Sequence, residues 1–136
     1  MIYRVTKILF LVLVTAGIAF AGLTFEYFTG KTNSDGILLE WKTGDENGTA
    51  KFEIERSAST PNSFIYVKTV NANGSNSYYS YQDNSVDVNK STSSVYYYRL
   101  KCQNSNGSYS YTNTITVVHT VSGIKNTWGS IKAIFR

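Results

Sequence analysis

Residues Val95–Val118 read V-Y-Y-Y-R-L-K-C-Q-N-S-N-G-S-Y-S-Y-T-N-T-I-T-V-V. Two runs rich in β-branched and aromatic residues flank the polar stretch Asn104-Ser105-Asn106-Gly107. Such residues suit a pleated, half-buried surface, and Asn-Gly accepts the positive φ of a tight turn. The stretch predicts a hairpin, with Tyr96, Tyr98, Leu100 and Cys102 on its inward face. Either Tyr96 or Tyr98 would act as a tyrosine corner, its hydroxyl returned to nearby backbone.

Working outward, the same pattern repeats along the chain. Strands are expected at 22–30, 37–43, 51–57, 64–70 and 78–82, each bounded by polar turns such as Asp35-Gly36 and Asn73-Gly74. Ile37, Leu39 and Trp41 alternate with Leu38, Glu40 and Lys42. Phe52 and Ile54 turn inward while Glu53 and Glu55 turn outward. Residues 83–94 form a polar connection anchored by Val86 and Val88. Seven short strands imply an all-β sandwich. Its expected core contains Trp41, Phe52, Ile54, Tyr96, Tyr98, Leu100, Tyr111, Ile115 and Val117.

Both ends differ from this centre. Arg4 and Lys7 precede an uncharged apolar run, Ile8 to Phe20, and Ala19-Phe20-Ala21 ends in small residues. That is the layout of a secretory signal peptide over 1–21. The competing reading is an uncleaved anchor, the only membrane contact the chain would make. Both readings place the domain of residues 22–120 outside the cytoplasm, secreted or at the cell surface. In the tail, residues 121–136, a helix capped near Asn126 or Thr127 would align Trp128, Ile131 and Phe135, with Lys132 and Arg136 at its end. This stripe is the expected docking element, with a packed or loose end as its alternative.

Charge and cysteine content narrow the function. Residues 22–120 carry eight Lys and Arg against nine Asp and Glu, so the surplus of the +4 chain lies in the tails. A domain without a basic face is not expected to bind nucleic acid. The single Cys102 excludes an internal disulfide, and its alternation with Tyr98 and Leu100 predicts a buried thiol. The only histidine, His119, has no partner in view. Asp45, Glu46 and the acidic residues of 83–87 lack calcium-loop spacing and read as solvated loop charge. Glu53 and Glu55 read as surface groups that pair with Arg56 and Arg99 across strands. Tyr78, Tyr79, Tyr81, Tyr97, Tyr109 and Tyr111 are candidates for a sugar-stacking platform, but pleat and burial explain all of them, and strand and core preference is the expected reason for their presence. Sequons at Asn47, Asn73, Asn89 and Asn106 are explained by turn chemistry. No cofactor or metal is expected.

The segments I37-L-L-E-W-K-T43, K51-F-E-I-E-R-S57, Y78-Y-S-Y-Q-D83, Y97-Y-R-L-K101 and N106-G-S-Y-S-Y111 together resemble a bacterial fibronectin type III-like domain. It is the kind found in secreted proteins of the type IX secretion route. The resemblance spans about residues 23–118, in line with the ~100-residue size of such sandwiches. It implies a seven-stranded fibronectin type III/immunoglobulin-like fold and an extracytoplasmic, non-enzymatic role, with no catalytic residues to carry over. The long sorting domain that usually follows such a module is not expected here, and residues 121–136 are read as the departure from that pattern. The expected function is therefore an interaction or structural module contacting a protein or envelope partner. Carbohydrate binding and self-association into a surface fibre are the alternatives.

Overall fold

A computed structural model describes residues 22–88 and 93–120. Residues 1–21, read above as a signal peptide, and the tail with Trp128, Ile131, Lys132, Phe135 and Arg136 lie outside the described residues. Eight strands follow one another: β1 (Phe25–Asn33), β2 (Gly36–Thr43), β3 (Thr49–Ala58), β4 (Ile65–Asn71), β5 (Tyr78–Asp83), β6 (Ser94–Asn104), β7 (Tyr109–Tyr111) and β8 (Ile115–His119). They form two antiparallel sheets, and no helix occurs among the described residues. One sheet has the order β1-β2-β5. The other runs β4-β3-β6, with β7 and β8 both on the far side of β6.

The sheets meet face to face because both alternate apolar residues inward. β2 contributes Ile37, Leu39 and Trp41, and β5 contributes Tyr79. From the facing sheet come Phe52, Ile54, Tyr98, Leu100, Cys102 and Val117. Aromatic rings fill the centre. Trp41 stacks on Tyr79 at 5.3 Å between ring centroids and meets Phe28 and Phe52 edge-on at 6.2 and 5.9 Å. Offset and edge-on arrangements suit the quadrupoles of the rings. Val86 and Val88 are buried anchors of the connection after β5. Tyr96 is only half-buried, at the margin of this core.

The final hairpin departs from simple alternation. Lys101 pairs with Tyr111, but Tyr98 pairs with Ile115. Two residues of β6, Arg99 and Leu100, are therefore matched against three, Thr112, Asn113 and Thr114. This is a β-bulge, and it explains why one expected strand becomes β7 and β8. Side-chain direction reverses at each extra residue. Tyr111 consequently lies outside the core, 45% exposed, while Ile115 and Val117 of the same parity face in. Thr112 repairs the ladder locally. Its N–H donates to the Leu100 carbonyl at 3.0 Å, and its Oγ1 accepts from the Leu100 N–H at 2.9 Å.

A second irregularity lies in β1, where the register with β2 shifts between Phe25 and Tyr27. Phe25 and Phe28 both reach the core, whereas Tyr27 is exposed. Unbroken alternation would have placed Phe25 with Tyr27.

Candidate functional site

Two buried carboxylates organise the polar interior, and neither is the solvated loop charge expected from spacing. Asp83, the last residue of β5, is 1% exposed. Its Oδ2 accepts from the Tyr98 hydroxyl at 2.7 Å and from Arg56 Nη1 at 2.6 Å. Its Oδ1 accepts from the Ser85 N–H at 3.1 Å and the Ser85 hydroxyl at 2.5 Å. Arg56 and Tyr98 are register partners on β3 and β6, so both side chains leave the same face of the sheet. Arg56 thus pairs with Asp83 across the sandwich and not with Glu53 or Glu55. The Tyr98 hydroxyl finds a carboxylate and not backbone, so the expected tyrosine corner does not form at Tyr98.

The electrostatics follow from burial opposed by pairing. Desolvation alone would raise the Asp83 carboxyl, but bonds from Ser85, Tyr98 and Arg56, with the Arg56 charge, hold it below the ordinary carboxylate range. Burial would lower Arg56, and the Asp83 carboxylate outweighs it, so the guanidinium is held more firmly protonated. Tyr98 is pushed strongly upward, first by burial and then by the adjacent carboxylate. At neutral pH the cluster holds an ion pair and a neutral phenol.

Glu46, in the loop between β2 and β3, is 3% exposed. Its Oε1 accepts from the Thr43 hydroxyl at 2.9 Å and the Tyr79 hydroxyl at 2.5 Å, and its Oε2 accepts from the Gly74 N–H at 3.0 Å. Its own N–H donates to Ser75 Oγ at 3.0 Å. The carboxylate thereby ties the loop after β2 to the loop before β5. Sequence could have flagged it only through the nearby Tyr79 and Thr43 on inward positions.

Two clefts open on the surface, the first of them beside the Asp83 cluster. One, of about 390 Å³, lies between the β4 and β5 edges and is lined by Arg56, Ile65, Tyr66, Tyr81, Gln82 and Ser85 among others. Ile65 and Tyr66 are 55% and 60% exposed. The other, of about 410 Å³, is lined by Phe25, Tyr27, Phe28, Thr112, Asn113 and Ile115. In both sheets the outermost strands have one unpaired side: β1 and β5 in one, β4 and the β7–β8 pair in the other.

The tyrosines do not form one platform. Tyr79 is in the core, and Tyr78 donates its hydroxyl to Glu40 Oε2 at 2.7 Å on the β2–β5 sheet. Tyr109 and Tyr111 sit on the opposite sheet with planes inclined by 75°. Cations cover them: Arg99 lies 4.0 Å from both the Phe64 and Tyr111 ring centroids, and Lys101 lies 4.3 Å from that of Tyr109. Arg99 also pairs with Glu55 at 2.8 Å. No group of three or more metal-ligating side chains occurs among the described residues. Cys102 is buried, its thiol pushed up to about 12 by desolvation and then by the Glu46 charge. No helix among the described residues is long and apolar enough to cross a membrane.

No family model and no curated protein matches the chain. Among solved structures, it is similar to a crystal structure of pectate lyase PelI from Erwinia chrysanthemi in complex with tetragalacturonic acid, with a TM-score of 0.51 and 21% identity. The match covers 71% of this chain and 28% of the pectate lyase chain, so it spans well under half of that enzyme. At this identity the likeness is one of fold.

Proposed function

We propose that the chain is an extracytoplasmic, non-enzymatic interaction module that receives a partner strand at the β4 edge. The observation that carries this reading is the open β4 strand, with exposed Ile65 and Tyr66 beside the cleft that separates it from β5. An unpaired strand offers free N–H and C=O groups for pairing, and flanking pockets select side chains. The sheet orders β1-β2-β5 and β4-β3-β6-β7/β8 support the resemblance to a fibronectin type III-like domain. The signal-like residues 1–21 support export, and the Trp128–Phe135 stripe supports a role for the tail in sorting or docking.

A photo-crosslinking residue in place of Tyr66, in protein expressed in its own cells, tests the contact. Adducts with an envelope or secreted protein, mapped to an extended segment, are expected. Adducts only between copies of the chain would replace this reading with a self-assembling fibre subunit. Failure to crosslink, combined with tyrosine-dependent binding on a glycan array, would replace it with carbohydrate recognition. Mass spectrometry of the mature protein in each cell fraction tests export. Deleting residues 121–136 should leave the sandwich folded and change where the protein resides.

A further inference from the structure

Three Asn-Gly pairs fall in described turns: Asn47-Gly48, Asn73-Gly74 and Asn106-Gly107. Glycine has no Cβ to hinder its own amide nitrogen, so Asn-Gly is the dipeptide most open to attack by that nitrogen on the asparagine side chain. The reaction needs the glycine nitrogen free of its hydrogen bond, because the nitrogen must lose its proton and turn toward Cγ. The three turns differ in this respect.

The Gly74 N–H donates to the buried Glu46 carboxylate at 3.0 Å. The Gly107 N–H donates to the Asn104 carbonyl at 3.0 Å, and the Asn106 carboxamide oxygen is itself held by the Ser108 N–H and hydroxyl at 3.0 and 2.7 Å. At Asn47-Gly48 neither restraint exists. The Thr49 N–H closes the turn on the Glu46 carbonyl at 2.9 Å, and φ is 46° at Asn47 and 76° at Gly48. Both are exposed, and among the described residues neither the Asn47 carboxamide nor the Gly48 N–H makes a hydrogen bond.

We infer that Asn47-Gly48 is a self-modifying site, the one Asn-Gly pair of the three whose nucleophile the folded chain leaves free. The Gly48 nitrogen gives up its proton to solvent base and attacks Asn47 Cγ. The new N–Cγ bond forms, the Cγ–Nδ2 bond breaks, and ammonia leaves carrying a proton from water. A second water opens the five-membered imide at either carbonyl, which yields aspartyl or isoaspartyl linkage. Both products add a negative charge beside Asp45. The isoaspartyl product also inserts a methylene into the backbone between buried Glu46 and Thr49. The turn that holds the Glu46 latch is therefore the place where the protein records its age outside the cell.

The test is peptide mapping of isoaspartate after timed incubation at mildly alkaline pH, run in parallel on the folded chain and on the chain in denaturant. Each site's folded rate is divided by its denatured rate, which removes intrinsic sequence effects. Asn47 should keep most of its denatured rate, while Asn73 and Asn106 should be slowed roughly five- to tenfold or more, the cost of releasing the glycine N–H bond. Equal slowing at all three sites, or Asn106 leading in the folded chain, would overturn the inference.

Discussion

The Tyr98 hydroxyl donates to Asp83 Oδ2 at 2.7 Å from the opposite sheet, and the same oxygen receives Arg56 at 2.6 Å. One carboxylate oxygen therefore joins three strands from two sheets: β3, β5 and β6. Severing part of this arrangement leaves an uncompensated buried charge, which costs more than the pair gains by forming. Asp83→Ala should lower stability by about 3–5 kcal/mol. Tyr98→Phe, which leaves the ion pair in place, should cost about 1.5–3 kcal/mol, the worth of a bond to a charged group. Urea unfolding of the three proteins checks both, and equal stability of wild type and Asp83→Ala would refute the linkage.

The pH dependence has a definite sign. Asp83 is held below its ordinary value in the folded protein, so its contribution is fully present above the unfolded carboxyl pKa near ~4. That contribution falls away as pH drops through the lower, folded value. Stability should thus decline on acidification from about pH 5 downward. In Asp83→Asn this acid limb should be visibly flatter, as read from Tm between neutral and acid pH.

Cys102 gives a chemical readout of the core. With its thiol pushed up to about 12 and its side chain buried, it holds almost no thiolate at neutral pH. Iodoacetamide should leave the native protein unlabelled and label it stoichiometrically in denaturant. Rapid native labelling would mean that the β6 interior opens readily.

Gly36 begins β2 at φ 144°, and a Cβ there would sit 2.1 Å from the Asp83 carbonyl oxygen. The close approach of the two backbones leaves no room for a side chain, and the conformation is one that other residues rarely adopt. Gly36→Ala should therefore destabilise by about 3 kcal/mol, against near neutrality for Gly22→Ala, whose surroundings are open. Thermal melts of the two variants measure the contrast.

At the bulge, Thr112→Val keeps shape but removes the oxygen that accepts from the Leu100 N–H. The buried Leu100 amide would lose its partner, at a cost of about 1–3 kcal/mol. Hydrogen exchange at Leu100 should accelerate in this variant while exchange at Ile54 stays slow.

Strand positions and the sandwich were legible because alternation holds through β2, the Phe52–Ile54 part of β3 and the Tyr98–Cys102 part of β6: Ile37, Leu39, Trp41, Phe52, Ile54, Tyr98 and Leu100 are all fully buried. What escaped was the phase. A one-residue bulge carries no compositional mark, so Tyr111 read as core and Tyr27 shared a face with Phe25. The buried charges escaped for a related reason. Arg56 has the parity of Phe52 and Ile54, and a cation on an apolar face demands a buried anion, but the chain gives no hint of which carboxylate answers it. Glu46 sits in a loop whose residues look wholly solvated until Tyr79 and Thr43 are seen beneath it. The β4–β5 cleft is a product of how the sheet edges end, and no single residue announces it.

The unmatched residue between β7 and β8 separates two kinds of selection along one strand. Before it, Tyr109 and Tyr111 answer to the demands of an exposed surface; after it, Ile115 and Val117 answer to the interior. The outward half is free to change character while the inward half stays tuned to Trp41 and its neighbours. Loss of one residue from Thr112–Thr114 would merge the two halves into one phase. It would either drive the tyrosines into a core with no space for them or turn Ile115 and Val117 out to water. Substitutions are affordable in this strand, and changes of length are not.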